Sequence, residues 1–135
     1  MEAKQYMQQY QKALKKIEHL KGKIRVIDDL LTSITLDPSQ EKVDHTKTPD
    51  MLGDLVAKKC DLLAGLSKAG IEAYETMDDI ESTLSTLSEK NREILHLRYI
   101  DGRTWQDIAD ELELTPRYVI SLHGKALEEL SEKIS

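Results

Sequence analysis

The sequence predicts an all-α protein in which a long, coiled-coil-like helical hairpin precedes three short helices. Apolar residues recur every three or four positions along two long segments, which is the spacing of a coiled-coil seam. The chain has no Phe and one Trp, and it has few of the β-branched and aromatic runs that strands favour. Its 135 residues are 39% hydrophobic and 33% charged, a balance that fits a helical protein with a thin core.

The first long helix is predicted over about residues 3–35. Its seam alternates spacings of four and three: Tyr6, Tyr10, Ala13, Ile17, Leu20, Ile24, Ile27, Leu31 and Ile34. Pro38 cannot continue this helix, because proline lacks a backbone N–H and biases the preceding residue away from helical dihedrals. The polar stretch that follows runs to Pro49, so residues 36–49 are predicted to be an exposed loop.

The second long helix is predicted over about residues 50–86. Its seam keeps the same spacing: Leu52, Val56, Lys59, Leu63, Leu66, Gly70, Ala73, Met77, Ile80, Leu84 and Leu87. A second stripe runs beside it through Leu55, Leu62 and Ala69. Because glycine costs about 1 kcal/mol against alanine in a helix interior, we expect a kink, a close helix crossing or a break near Ala69-Gly70.

The matched seams and the single polar loop between them favour an antiparallel hairpin within one chain. The alternative is that the seams pair between chains and give a homo-oligomer through the long helices. We expect residues 1–87 to form the hairpin and residues 88–135 to form a separate domain that docks on its end through Leu84 and Leu87.

Residues 88–135 are predicted to form three amphipathic helices joined by tight turns. The first begins near Ser88, a predicted N-cap, and closes at Asp101-Gly102. The second begins at the N-cap Thr104 and contains the small residue Ala109, where two helices can cross closely. The third begins at Thr115-Pro116, and its buried stripe is predicted to be Val119, Leu122, Ala126 and Leu130. The last two helices are spaced as a helix-turn-helix.

Residues 87–130 resemble the fourth conserved region of bacterial sigma factors, the promoter-recognition domain. The resemblance lies in Leu87-Ser88-Glu89, Arg92-Glu93-Ile94-Leu95-His96-Leu97-Arg98-Tyr99, Gly102, Ile108-Ala109-Asp110-Glu111-Leu112, Thr115 and Val119. It covers about a third of the chain. Together with the upstream hairpin, it is similar to small transcription regulators encoded by phages or prophages of Gram-positive bacteria.

The resemblance implies a DNA-binding transcription regulator whose last helix enters the major groove of double-stranded DNA. Carried over residue by residue, the DNA-facing positions are Thr115, Arg117, Tyr118, Ser121 and Lys125. The family usually has more basic and amide side chains here, with Arg at the positions of Pro116 and Ile120. Glu113 stands at a turn position that is usually glycine, which costs on the order of 1 kcal/mol if its φ is positive.

Two other functions are compatible with the sequence. Sigma region 4 also contacts RNA polymerase, so an adapter that binds polymerase or another transcription protein without reading DNA is the alternative. The acidic balance of residues 88–135, with seven basic and ten acidic residues, favours it. A purely structural coiled-coil protein is the third reading, and it predicts a large oligomer.

Charge and composition exclude several classes. The net charge of −6 argues against whole-protein attraction to DNA, although residues 1–25 hold seven basic and two acidic residues. No nucleophile–base pair, glycine-rich phosphate loop or metal-ligand spacing occurs, so we expect no enzyme, no cofactor and no metal. The single Cys60 fits a cytoplasmic protein. No apolar run approaches the roughly 20 residues of a membrane span.

Overall fold

The computed structural model describes residues 2–36 and 47–135, and every regular element in these ranges is helical. The elements are α1 (Ala3–Leu36), α2 (Lys47–Leu84), α3 (Glu89–Leu95), a π-helical turn (His96–Ile100), α4 (Trp105–Leu112) and α5 (Pro116–Ile134). The predicted all-α fold, with a long helical hairpin before three short helices, is confirmed. In the described ranges, none of these helices has an apolar stretch long enough to cross a bilayer.

The loop predicted for residues 36–49 is wrong at both of its ends. Leu36 still belongs to α1, and residues 47–49 already belong to α2. Pro49 is the third residue of its helix, where its missing N–H would have no partner within the helix anyway. Residues 37–46, on which the rest of the predicted loop falls, lie outside the described residues.

The chain divides into two compact units, and the first comprises Met1–Leu14 and Glu72–Ser135. Its main core, here called the hairpin-end core, consists of Ala3, Met7, Ile80, Leu84, Leu87, Leu95, Tyr99, Ala126 and Leu130. Tyr6 anchors α1 to α2 beside this core, since its hydroxyl donates to Asp79 Oδ2 at 2.8 Å and lies 2.8 Å from Thr83 Oγ1. The docking expected through Leu84 and Leu87 is present, because both are buried against Ala126 and Leu130 of α5. The domain boundary between residues 87 and 88 stays a prediction.

The second unit is Lys15–Ile71, in which the remainder of α1 lies beside the first part of α2. The ammonium of Lys59 on α2 pairs with Asp28 Oδ1 on α1 at 2.6 Å. This pair explains how a lysine is accommodated in the predicted apolar seam.

The face that α2 turns toward α1 is rotated from the predicted one. Leu55 and Leu62, assigned to the secondary stripe, are half-buried, whereas Val56 and Leu63, assigned to the seam, are 50% and 45% exposed. The two stripes carry similar apolar residues, so the spacing alone could not decide between them. Leu55, Leu62 and buried Ala69 therefore belong to the contact face.

The break expected near Gly70 is absent from the described residues, because α2 runs without interruption from Lys47 to Leu84. Gly70 itself makes no close crossing, although the neighbouring Ala69 is buried. A Cβ added at Gly70 would meet no described atom within 4 Å outside its own helix and neighbours.

The predicted third helix changes its winding halfway. The α-helix ends at Leu95, and His96–Ile100 continue as a π-helical turn whose i→i+5 bond joins Asp101 N–H to His96 O at 3.0 Å. The chain then leaves through Gly102 with a φ of 69°, as the predicted left-handed turn requires. The π turn places Leu97 in one apolar cluster and Tyr99 in another.

Ser88 occupies the predicted N-cap position of α3, but its side chain does not cap the helix. Its backbone N–H donates to Glu129 Oε1 at 2.7 Å, and its hydroxyl donates to Glu129 Oε2 at 3.1 Å. Asn91 of α3 donates to the same carboxylate. The backbone N–H of Ser88 is the main reason that the pKa of Glu129 lies below its usual range. A carboxylate on α5 therefore ties down the start of α3.

Candidate nucleic-acid interface

Helix α4 is the first helix of the helix-turn-helix, and its own sequence defines its start. The hydroxyl of Thr104 accepts the N–H of Asp107 at 3.1 Å, as the predicted N-cap requires. Ile108 and Ala109 are fully buried in a second cluster, the turn core, which consists of Leu97, Ile108, Ala109 and Val119. Ala109 thus lies at the predicted contact between α4 and α5, where a larger side chain has no room.

The turn between α4 and α5 depends on one left-handed residue. Glu113 has φ 58° and ψ 43°, and its N–H bonds to carbonyl groups at the end of α4. The N–H of Leu114 then donates to Ala109 O at 2.9 Å, which completes the C-terminal cap. The φ of Glu113 is positive, so the condition under which this residue carries a strain cost is met, at a position where glycine is the favoured residue.

Glu113→Gly is expected to raise the free energy of unfolding by about 0.5–1 kcal/mol. Glycine removes the left-handed strain of about 1 kcal/mol, which the greater freedom of the unfolded chain partly offsets. Urea denaturation followed by circular dichroism measures the change. As a control, Glu128→Gly in the exposed interior of α5 should lose about 1 kcal/mol. Equal destabilisation by both substitutions would contradict a strained turn.

Helix α5 begins as predicted and buries the predicted stripe. The hydroxyl of Thr115 accepts the N–H of Tyr118 at 3.2 Å, and Pro116 fills the first helical position. The buried residues of the helix are Val119, Leu122, Ala126 and Leu130. Val119 packs into the turn core, whereas Ala126 and Leu130 pack into the hairpin-end core. Both cores therefore fix the rotation of α5 about its axis.

The five predicted DNA-facing residues lie on the side of α5 away from this stripe or at its N-terminal cap. All five are exposed: Thr115, Arg117, Tyr118, Ser121 and Lys125. At 100° per residue, Arg117, Tyr118, Ser121 and Lys125 fall within roughly 100° of one another around the helix. The structure thus brings them together on one accessible surface, here called the α5 face.

The chemistry of the α5 face changes along the helix. Its first turns carry two cations, a hydroxyl and a phenol, and the free N–H groups of the helix start add partial positive charge. Glu128 lies on the same side one turn further on and is exposed. An anion would therefore be attracted to the first three turns of the helix and repelled beyond them.

Lys90 is a further basic residue beside the α5 face that spacing within α5 could not reveal. It projects from α3, and its ammonium lies 6.0 Å from the centre of the Tyr118 ring. Only the packing of α3 against α5 brings the two together. Lys90 is exposed, so it adds a third cation to the surface that Arg117 and Lys125 form.

Two other arginines nearby are occupied by contacts within the domain. The guanidinium of Arg98 lies 4.2 Å from the centre of the Trp105 ring and donates to Arg103 O at 2.9 Å. Arg103 pairs with Glu111 at 2.7 Å. The contact between Arg98 and Trp105 packs the start of α4 against the π-helical turn.

His123 is a half-buried histidine that links three elements. Its ring lies 4.7 Å from Trp105 in an edge-on arrangement, and its Nε2 is 2.7 Å from the Tyr99 hydroxyl. The pKa of His123 is lowered to about 4, mainly by burial, with smaller contributions from the positive charges of Arg98 and Lys4. The imidazole is therefore neutral at pH 7 and shares a hydrogen bond with the hydroxyl of Tyr99. Burial raises the pKa of Tyr99, so that hydroxyl is protonated as well.

Acidification is expected to destabilise the protein through His123. The unfolded imidazole has a pKa of about 6.5, so the unfolded chain takes up a proton at a pH where the folded chain does not. Stability should fall as the pH drops from about 6.5 to about 4, by up to about 3 kcal/mol. His123→Gln keeps an acceptor for Tyr99 and should remove most of this loss in urea denaturation at pH 7 and pH 4.5. If both proteins lost the same free energy of unfolding between pH 7 and pH 4.5, the loss would come from carboxylates and not from His123.

A comparison with known families finds a match for the C-terminal part of the chain. Residues 83–132, from the end of α2 to near the end of α5, match the family model of Sigma-70, region 4. The predicted sigma region 4-like helix-turn-helix is confirmed, and the matched family is one of DNA-binding domains, not of enzymes. No curated protein and no solved structure matches the chain. Within residues 2–36 and 47–135, no three His, Cys, Asp or Glu side chains lie together so as to hold a metal ion.

Proposed function

Because residues 83–132 form a sigma region 4-like helix-turn-helix, we propose that the protein is a transcription regulator that binds double-stranded DNA with α5 in the major groove. The observation that carries this proposal is the α5 face. Arg117, Tyr118, Ser121 and Lys125 are exposed together, while the opposite stripe of the same helix is buried. A helix held in this way can enter a groove without losing its packing.

Each residue of the α5 face has a defined chemical role in this proposal. Arg117 is close to the helix start, where a guanidinium can reach the two acceptors of guanine. Tyr118, Ser121 and Lys125 donate to phosphate oxygens and fix the register of the helix on the duplex. Thr115 caps the helix with its oxygen and keeps its hydroxyl hydrogen for a phosphate at the helix N-terminus.

Two further side chains extend the proposed surface. Ile120, 49% exposed, stands where sigma factors often have arginine, and it can contact a thymine methyl group in place of a polar base edge. Lys90 provides a phosphate contact from α3, next to Tyr118. The proposed interface is therefore less basic and more apolar than the resemblance alone implies.

Selection from a random DNA pool tests this function. The full chain should enrich a short duplex motif, and its affinity should fall with salt at a log–log slope of about −0.9 per phosphate contact. Two phosphates neutralised by Lys90 and Lys125, or three if Arg117 also binds one, predict a slope of about −2 to −3. Failure to enrich any motif at 50 mM salt, by a protein shown to be folded, would contradict the proposal.

A second function is favoured by the charges around the α5 face. Arg98 and Arg103 are engaged within the domain, and residues 88–135 hold more acidic than basic residues. These features favour an adapter that binds RNA polymerase or another transcription protein. Polymerase retained by the tagged protein after nuclease treatment, with no DNA shift at low salt, would support the adapter.

A further inference from the structure

Helix α2 has an uncharged face that nothing in the described part of its unit covers. Within Lys15–Ile71, α2 turns one side toward α1 and a second, charged side toward solvent. Between them runs a third side with spacings of three and four: Gly53, Val56, Cys60, Leu63, Ser67 and Gly70. Five of the six residues are exposed and Gly70 is half-buried, and none carries a charge. This set is here called the outer seam.

The residues beside the outer seam are also unusual for a solvent-facing surface. Ala57, Ala64 and Ile71 flank it at intervals of seven, and all are exposed. On its other flank, Lys59 has its charge paired with Asp28 at 2.6 Å. A helix face without charges over about five turns is typical of a surface that another helix covers.

The glycines of the outer seam have no role in the packing of their own unit. A Cβ added at Gly53 or Gly70 meets no described atom within 4 Å beyond its own helix and neighbours. Each glycine costs about 1 kcal/mol in the helix interior. Their position in the seam fits a second helix that approaches α2 closely from outside.

We propose that the outer seam of α2 pairs with the same seam of a second copy of this chain, antiparallel, about a twofold axis between Asp61 and Leu62. A twofold interface brings a surface against itself, so a charged face would repel its partner while an uncharged face does not. The order of residues supports the antiparallel direction. In this register Val56 lies opposite Ser67, Leu63 lies opposite Cys60, and Gly53 lies opposite Gly70, so that each large side chain faces a small one.

A groove elsewhere in this unit is a poorer site for self-association than the outer seam. It has a volume of about 450 Å³ and is lined by Lys23, Lys58 and Asp61 together with apolar residues. Two copies meeting there would bring the same charges together. Val26, 58% exposed at this groove, provides a matched control for Leu63, which is 45% exposed in the outer seam.

Oligomeric state tests the proposal on the full chain. Sedimentation velocity should show a dimer, and Leu63→Glu should raise its dissociation constant at least about 30-fold because a carboxylate enters an apolar contact. Val26→Glu should change it less than about threefold. Helix content from circular dichroism should stay the same in both. A monomer at 100 μM, or a dimer that only Val26→Glu dissociates, would overturn the proposal.

Crosslinking tests the direction of pairing. In a Cys60→Ser background, an equal mixture of Val56→Cys and Ser67→Cys chains should give mainly the mixed crosslink with a short bifunctional maleimide. The two positions face each other in the antiparallel register, whereas each is about 16 Å along the axis from its own copy. Mainly self-linked products would overturn the antiparallel arrangement.

Discussion

Replacing both Arg117 and Lys125 with glutamate is expected to lower DNA affinity at least about 100-fold at 100 mM salt. One of the two residues can contact a base edge and the other a phosphate, and losing each contact costs about 1–3 kcal/mol. Reversing their charges adds repulsion from the phosphates. Both side chains are exposed, so the fold should be retained. Fluorescence anisotropy with a labelled duplex, over a range of salt concentrations, measures the affinity and its salt slope.

A matched control separates the α5 face from general charge effects. Lys21→Glu with Lys23→Glu changes the net charge equally, and both lysines are exposed on α1. This variant should lose less than about threefold in affinity, since neither lysine belongs to the proposed interface and salt at 100 mM screens a general change in net charge. An equal loss in both double variants would assign DNA binding to the basic part of α1, or to net charge alone.

Ala109→Leu is expected to disrupt the helix-turn-helix, with a loss of about 3 kcal/mol or more in the free energy of unfolding. Ala109 has no exposed surface and contacts the turn core formed with Leu97, Ile108 and Val119. Three extra carbon atoms would force α4 away from α5, and overpacking of this kind usually costs about 1–3 kcal/mol. The tight turn between α4 and α5 would be lost as well, because the N–H groups of Glu113 and Leu114 both bond to the carbonyl oxygen of Ala109.

The neighbouring position gives the control for this substitution. Asp110→Leu adds the same side chain on the exposed side of α4 and should change the free energy of unfolding by no more than about 0.5 kcal/mol. Thermal and urea denaturation measure both variants. If Ala109→Leu proved as stable as Asp110→Leu, the small residue would not be required for the helix crossing.

Local chemistry made the helix-turn-helix predictable from the sequence. Thr104 and Thr115 are N-caps because a hydroxyl can satisfy a free N–H at the helix start, and the structure shows both bonds. The buried stripe of α5 follows from a strong apolar periodicity with polar residues on the other side. The left-handed turn at Gly102 was predicted for the same local reasons, whereas at Glu113 only the comparison with the family's usual glycine raised a positive φ, as a condition.

Features that depend on partners distant in sequence could not be predicted. The contact face of α2 was predicted wrongly here because Leu55 and Leu62 are about as hydrophobic as Val56 and Leu63, so the apolar spacing fits either pair. Glu129 contacts Ser88 across 41 positions of the chain, and neither residue signals the other. The same holds for Lys90 beside Tyr118, and for the π-helical turn that separates Leu97 from Tyr99. Tertiary packing decides each of these.

DNA binding by α5 is tested most directly by titrating isotope-labelled protein with its selected duplex and following the amide chemical shifts. If α5 enters the groove, the largest changes fall on residues 115–125, with smaller changes at Lys90 and at the start of α4. Unchanged amides along residues 115–125, with changes confined to the basic residues 12–25 of α1, would contradict DNA binding by α5.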